Sequence, residues 1–126
     1  MADWDDFQFE MVRGDDHTEE IVIESGDPLA AVDLSAYQEF WFTGRRYPGD
    51  TAAVFALTKT AGGITFKTTG TDGRLLVKIP KAATTPLPNW GQTLFADLQG
   101  KDAAGNIGTS ARGTIQMGAE STLATS

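Results

Sequence analysis

Thr93-Leu94-Phe95-Ala96-Asp97-Leu98-Gln99 sets Leu94, Ala96 and Leu98 against Phe95 and Asp97 in strict alternation. A period of two places the two sets on opposite faces of a β-strand. Lys101-Asp102-Ala103-Ala104-Gly105-Asn106, which follows, has the turn chemistry of a hairpin loop, and Gly108 to Met117 supplies the returning strand. The same succession of short alternating segment and turn extends upstream to Phe7, with no helical stretch of useful length.

Working back from that hairpin, Lys81 to Asn89 carries Thr84-Thr85-Pro86-Leu87-Pro88, whose prolines cannot donate ladder hydrogen bonds. We expect a crossing loop or one short helical turn there, carrying the chain from one sheet to another. Leu75 to Ile79 is a strand ended by Pro80, and Thr71-Asp72-Gly73 is a hairpin signal joining it to Ile64-Thr65-Phe66-Lys67. Ala61-Gly62-Gly63 is a tight connection from a strand over Ala53 to Thr60, and Tyr47-Pro48-Gly49-Asp50 breaks the chain before it. Glu39 to Arg45 is a strand that puts Phe40 and Phe42 on one face and Trp41 on the other. Val32 to Tyr37 suits a single helical turn, and Ser25-Gly26-Asp27-Pro28 a chain reversal. At the start, Phe7, Phe9 and Met11 alternate with Gln8, Glu10 and Val12, and after the turn Arg13-Gly14-Asp15-Asp16 the β-branched segment Thr18 to Ser25 reads as the hairpin partner of that first strand.

Size and charge bound the rest. A chain of 126 residues is one domain with one modest core. There are no cysteines, so neither disulfides nor thiolate metal sites hold it together. The formal net charge of −7 disfavours nucleic acid and anionic membranes as partners, although Arg45 and Arg46 are a local basic pair suited to a negatively charged protein. No apolar run approaches the roughly 20 residues that span a bilayer, and Met1 to Asp6 is acidic where a signal peptide is basic and then apolar. The expectation is a soluble protein made in the cytoplasm.

The ordered elements Arg13-Gly14-Asp15-Asp16, Val32-Asp33-Leu34-Ser35, Phe40-Trp41-Phe42-Thr43, Ala53-Val54-Phe55, Gly62-Gly63-Ile64, Thr85-Pro86-Leu87-Pro88, Ala96-Asp97-Leu98-Gln99, Asp102-Ala103-Ala104-Gly105-Asn106 and Arg112-Gly113-Thr114-Ile115 resemble a small β-sandwich family of tailed phages. The chain is similar, from about Phe7 to Met117, to the N-terminal domain of upper baseplate proteins of lactococcal phages. The alternation gives about eight short strands between an N-terminal arm (1–6) and a C-terminal tail (118–126) that lacks a core pattern and is expected to be mobile unless a partner orders it; the resemblance implies that these strands form an all-β, immunoglobulin-like antiparallel β-sandwich. It further implies a non-enzymatic virion component in tail, baseplate, neck or connector, holding other virion proteins in a symmetric assembly. Baseplate relatives continue into fibrous or receptor-binding regions, and a chain ending at Ser126 favours a connector, tail-completion or capsid-decorating role over direct host recognition.

The residues themselves offer little chemistry. His17 is the only histidine and falls at a turn beside Asp15 and Asp16, where a local ion pair is the expected reading. It lacks partners for a catalytic triad or a zinc site. Asp3, Asp5 and Asp6, and likewise Asp15 and Asp16, lack the spacing of a calcium loop. Asp97 and Asp102 are the acids nearest to a glycosidase pair, but an acid on a strand and another in a hairpin loop occur in most sandwiches. Arg13-Gly14-Asp15 matches an adhesion tripeptide, yet a turn needs the same Gly and Asp. No catalytic residue, metal ligand or cofactor is assigned.

The partner-interface candidates are Trp4, Trp90, Arg45, Arg46 and Tyr47; Trp41 is assigned to core or inter-sheet packing. A carbohydrate-binding module that stacks sugars on Trp41, Tyr47 or Trp90 is the alternative from a different class.

Overall fold

The computed structural model describes residues 6–25, 30–88 and 90–119. Trp4, most of the N-terminal arm, the Gly26-Asp27-Pro28 reversal, the acids Asp3 and Asp5, and the tail from residue 120 lie outside the described residues. The strands are β1 (Phe7–Val12), β2 (His17–Val22), β3 (Glu24–Ser25), β4 (Ala30–Ala31), β5 (Glu39–Arg45), β6 (Phe55–Thr58), β7 (Ile64–Phe66), β8 (Arg74–Ile79), β9 (Gln92–Lys101) and β10 (Ile107–Gly118). One helical turn, α1 (Lys81–Thr84), lies between β8 and β9.

A five-stranded sheet in the order β1-β10-β9-β5-β6 faces a three-stranded sheet in the order β2-β8-β7, and β3-β4 form a separate two-stranded ladder. The order β2-β8-β7 against β10-β9-β5-β6 is the B-E-D and G-F-C-C′ arrangement of an immunoglobulin-type sandwich. The all-β sandwich expected from the alternation is therefore present, with ten strands rather than about eight because β3 and β4 are two-residue additions. It is not wholly antiparallel: β1 runs parallel to β10, with Phe7 against Gly113 and Met11 against Met117.

That parallel pair corrects the expected β1–β2 hairpin, since β2 pairs with β8 in the opposite sheet. The 13–16 turn is pulled away from a hairpin by the α1 connection. Arg13 Nε donates to the Leu87 carbonyl (2.6 Å), the Gly14 N–H to Thr84 Oγ1 (2.9 Å), and the Lys81 N–H to Asp16 Oδ1 (2.8 Å). The turn thus crosses between sheets, so the apolar faces of β1 and β2 meet across the core instead of lying side by side. The 80–91 connection crosses as expected, from β8 in one sheet to β9 in the other, through one helical turn. Val32 to Tyr37 is not helical: the Tyr37 N–H closes a turn on the Leu34 carbonyl (3.1 Å), and Asp33 Oδ1 accepts from the Ser35 N–H (2.9 Å) and hydroxyl (2.6 Å).

The core is the meeting of the two alternating sets. Phe9, Met11, Phe40, Phe42, Leu94, Leu98, Ile115 and Met117 point inward from the large sheet, and Ile21, Ile64, Leu75, Val77 and Ile79 from the small one. Each such side chain contributes about 1.5–3 kcal/mol on burial. Where aromatic rings fill the interior, the facing strand carries glycine: Phe55 lies over Gly44, Tyr37 and Phe40 over Gly100, and Phe7 over Gly113.

Candidate functional site: an aromatic end and an outer sheet face

The register brings four of the five interface candidates to one end of the large sheet. Arg45 pairs with Phe95 at the last rung between β5 and β9, so Tyr47, two residues further on, and Trp90, two residues before β9, both lie beyond that rung. Val12 closes β1 at the same end, opposite Gly118. Tyr47 is 63% exposed, Trp90 58% and Val12 39%, three of the five exposed large hydrophobic residues among those described. Val12 stands in the regular alternation of β1 and carries no interface signal in the sequence. Its position as the last outward residue of an edge strand is what exposes it.

This end has a hydrogen-bonded floor. Besides its bonds to the α1 connection, Arg13 donates its backbone N–H to the Gly118 carbonyl (3.0 Å). Gln92 Nε2 donates to the Pro88 carbonyl (3.0 Å), fixing the segment that carries Trp90. The Asp50 N–H donates to the Tyr47 carbonyl (3.1 Å), closing the turn after Tyr47. Arg13-Gly14-Asp15 is part of this floor, with the arginine turned onto Leu87 and Thr85, so the tripeptide is not displayed as an adhesion loop.

Trp41 is a correction. Its neighbours Phe40 and Phe42 are fully buried, and alternation puts Trp41 on the opposite, outer face of the large sheet, half-buried rather than between the sheets. Phe95 shares that face, as do Thr43, Arg45, Asp97, Gln99, Arg112 and Thr114. Arg45 Nη1 meets Asp97 Oδ2 on this face at 3.9 Å. The signal that identifies this face is present in the sequence, in the parity of Trp41 and Phe95 relative to their buried neighbours.

The titratable groups serve the fold. His17 is the first residue of β2, not a turn residue, and its Nε2 meets Glu19 Oε1 (2.8 Å) rather than Asp15 or Asp16. Its ring lies flat against Phe9, with centroids 5.3 Å apart and planes 5° apart. Glu20, on the outer face of the small sheet, is held below its ordinary carboxylate value by hydrogen bonding to Lys67 and by the charges of Lys67 and Arg74. Burial pushes Glu39 up, but the Thr60 hydroxyl and the backbone N–H groups of Phe40 and Thr60 outweigh it and leave the carboxyl lowered. Asp102 accepts from the Ala104 and Asn106 N–H groups inside the β9–β10 turn, while Asp97 faces Arg45. Among the described residues no group of three or more His, Cys, Asp or Glu side chains is placed to hold a metal ion.

A cleft of about 500 Å³ opens between β6 and the adjoining ends of β2 and β8, with Ala56, Leu57, Ile79 and Pro80 as its apolar wall and His17 and Lys78 among its polar lining. No protein-family model matches the chain, and no curated protein matches it significantly.

Proposed function

We propose that this chain is a non-enzymatic structural component of a tailed-phage virion, an attachment module of tail, baseplate, neck or connector that works through contacts with other virion proteins. The observation that carries the reading is the aromatic end: Tyr47 and Trp90, largely exposed, mounted on a floor of side-chain-to-backbone hydrogen bonds. Rigid, amphipathic aromatics beside an arginine are the residues that dominate protein interfaces. The motif order described above supplies the phage setting.

The experiment is to label the protein and image it on intact particles by electron microscopy, with a Trp90→Ala, Tyr47→Ala double variant alongside. Density at the tail tip, neck or connector that the double variant lacks is the expected result. Regular density over the shell assigns the chain to capsid decoration instead. Absence from particles overturns the virion reading.

The same two exposed aromatics favour one second reading, a carbohydrate-binding module with Tyr47 and Trp90 as stacking platform. Sugar retention on a glycan array, lost in the double variant, distinguishes it.

A further inference from the structure

β6 ends the five-stranded sheet, and the side of it turned away from β5 pairs with no described strand. The Lys59 N–H donates to the Phe40 carbonyl (3.2 Å), so in the unbroken register that follows Leu57 is the residue bonded to Phe42, and Ala56 and Thr58 direct their main-chain groups the other way. The Thr58 carbonyl takes the Gly63 N–H (3.0 Å), which leaves the N–H and carbonyl of Ala56 and the N–H of Thr58 along the edge. We propose that this edge accepts an added strand, an extended segment of a partner protein that pairs with Ala56 and Thr58, sets an apolar side chain in the adjoining cleft and brings an acid to Lys78. The proposal rests on the attachment reading for the protein that supplies the segment, and on the edge and the cleft for its physics.

The edge is the first argument. Folded proteins blunt exposed edge strands with charge, proline or a bulge. From Thr51 to Thr58 no residue is charged and none is proline. The first charge beyond, Lys59, is held over the Phe66 ring, 5.3 Å from its centroid. By contrast β1 carries Glu10, and β2 carries Glu19 and Glu20. An uncharged edge of β-prone residues such as Val54 and Phe55 is a template for strand addition, in which main-chain hydrogen bonds supply affinity and pockets for alternate side chains supply specificity.

The cleft is the second. Its volume of about 500 Å³ is that of a ligand pocket, and Ala56, Leu57 and Thr58 of β6 form one side of it. Ile79 and Pro80 form the other, and the small residues Gly62 and Gly63 leave the room between. A strand added to β6 turns every second side chain to the same side, so a residue paired at this edge reaches that apolar wall.

Charge decides the occupant. The polar side chains around the cleft are mostly engaged: Asp16 Oδ1 accepts the Lys81 N–H (2.8 Å), His17 Nε2 meets Glu19 Oε1 (2.8 Å), and Thr58 Oγ1 accepts the Ala61 N–H (3.1 Å). Lys78 is exposed and meets no carboxylate among the described residues. A second copy of β6, uncharged from Thr51 to Thr58, brings it none. A partner segment that alternates apolar and acidic residues answers the wall and the cation together.

A displayed library of random peptides of about eight residues, selected against the purified full chain, tests this. The expected result is an enriched set that alternates apolar residues with at least one Asp or Glu and binds at about 1–100 µM. Those peptides are expected to shift the amide resonances of residues 16–18, 54–58 and 78–80. Ala56→Pro removes an outward N–H and no bond to β5, and is expected to weaken them at least about tenfold. Selection repeated on Lys78→Glu is expected to trade the acid for Lys or Arg. Unfolding curves that match the parent show that lost binding is not lost folding. Should Ala56→Pro unfold, Lys78→Glu carries the test by its exchange of charge.

No enrichment over a selection on blank support overturns the inference, as do enriched peptides indifferent to both Ala56→Pro and Lys78→Glu. A chain that selects no peptide but forms a dimer, lost in Ala56→Pro, also overturns it and assigns the edge to a second copy. Peptides that respond as expected, in a chain absent from phage particles, sustain the strand-accepting edge and remove the virion reading, so the two fail separately.

Discussion

Phe7 and Gly113 are register partners across the parallel β1–β10 ladder, and the Phe7 ring occupies the space that a side chain at 113 would need. The pair joins the first strand of the fold to the last. Phe7 also contacts Phe9 (ring centroids 6.0 Å apart) and Phe42 (5.7 Å), so one missing Cβ seats the edge strand and starts the aromatic chain that crosses the core.

Gly113→Ala is therefore expected to destabilise the protein by about 2–3 kcal/mol, because the added methyl meets both the Phe7 ring and its carbonyl and the ladder has to open. Chemical denaturation measures the loss. Hydrogen exchange localises it, with the amides of β1 losing protection first.

Thr84 is fully buried and accepts the Gly14 N–H at 2.9 Å. Thr84→Val keeps the shape and removes the acceptor, at an expected cost of about 1–3 kcal/mol for the stranded donor. Thr84→Ser, which keeps the hydroxyl, is expected to recover most of that. Limited proteolysis at residues 13–16, faster in the Val variant than in the Ser variant, separates a released turn from general weakening.

Glu20 holds Lys67 at 2.5 Å and Arg74 at 3.0 Å, and so ties β2 to β8 and to the residue following β7 on the outer face of the small sheet. Its carboxyl is lowered from an ordinary value of 4.5. The contribution is thus present above that value and lost as pH falls through the lower folded-state value. Solvent exposure keeps it small. On acidification from about pH 6 to about pH 3, the urea midpoint of the parent is expected to fall further than that of Glu20→Gln. Equal slopes in the two proteins count against the clasp.

Trp90→Ala and Tyr47→Ala remove exposed rings, so each is expected to change stability by no more than about 0.5 kcal/mol. Their effect belongs to binding. Incorporation into particles, scored against the parent in the same preparation, is expected to drop severalfold with the unfolding curve unmoved.

Much of the architecture was legible in the order of residues. Phe9, Met11, Phe40, Phe42, Leu94 and Leu98 are inward because side chains on a strand alternate, and that rule needs no knowledge of partners. The span of β5, the turn at 71–73 and the β9–β10 hairpin follow from the same local rules. Of the candidate site, Arg45, Arg46, Tyr47 and Trp90 stand out in the sequence as charged or unpatterned residues next to turns, and the outward direction of Trp41 lies in its parity with Phe40 and Phe42; that Val12 ends at the same edge does not show there, because it depends on the pairing of β1.

The local order of residues dictates which face each residue takes within its strand, and where the strands stop. Pairing was decided only in three dimensions. Whether β1 meets β2 or β10 depends on Arg13, Gly14 and Asp16 finding Leu87, Thr84 and Lys81, some 65 to 74 residues away in the chain. That choice in turn sets Val12, Tyr47 and Trp90 at one end of one sheet. Alternation is a property of the backbone at each residue, but a register is a property of two segments, fixed by long-range hydrogen bonds and by which glycine has room for which ring.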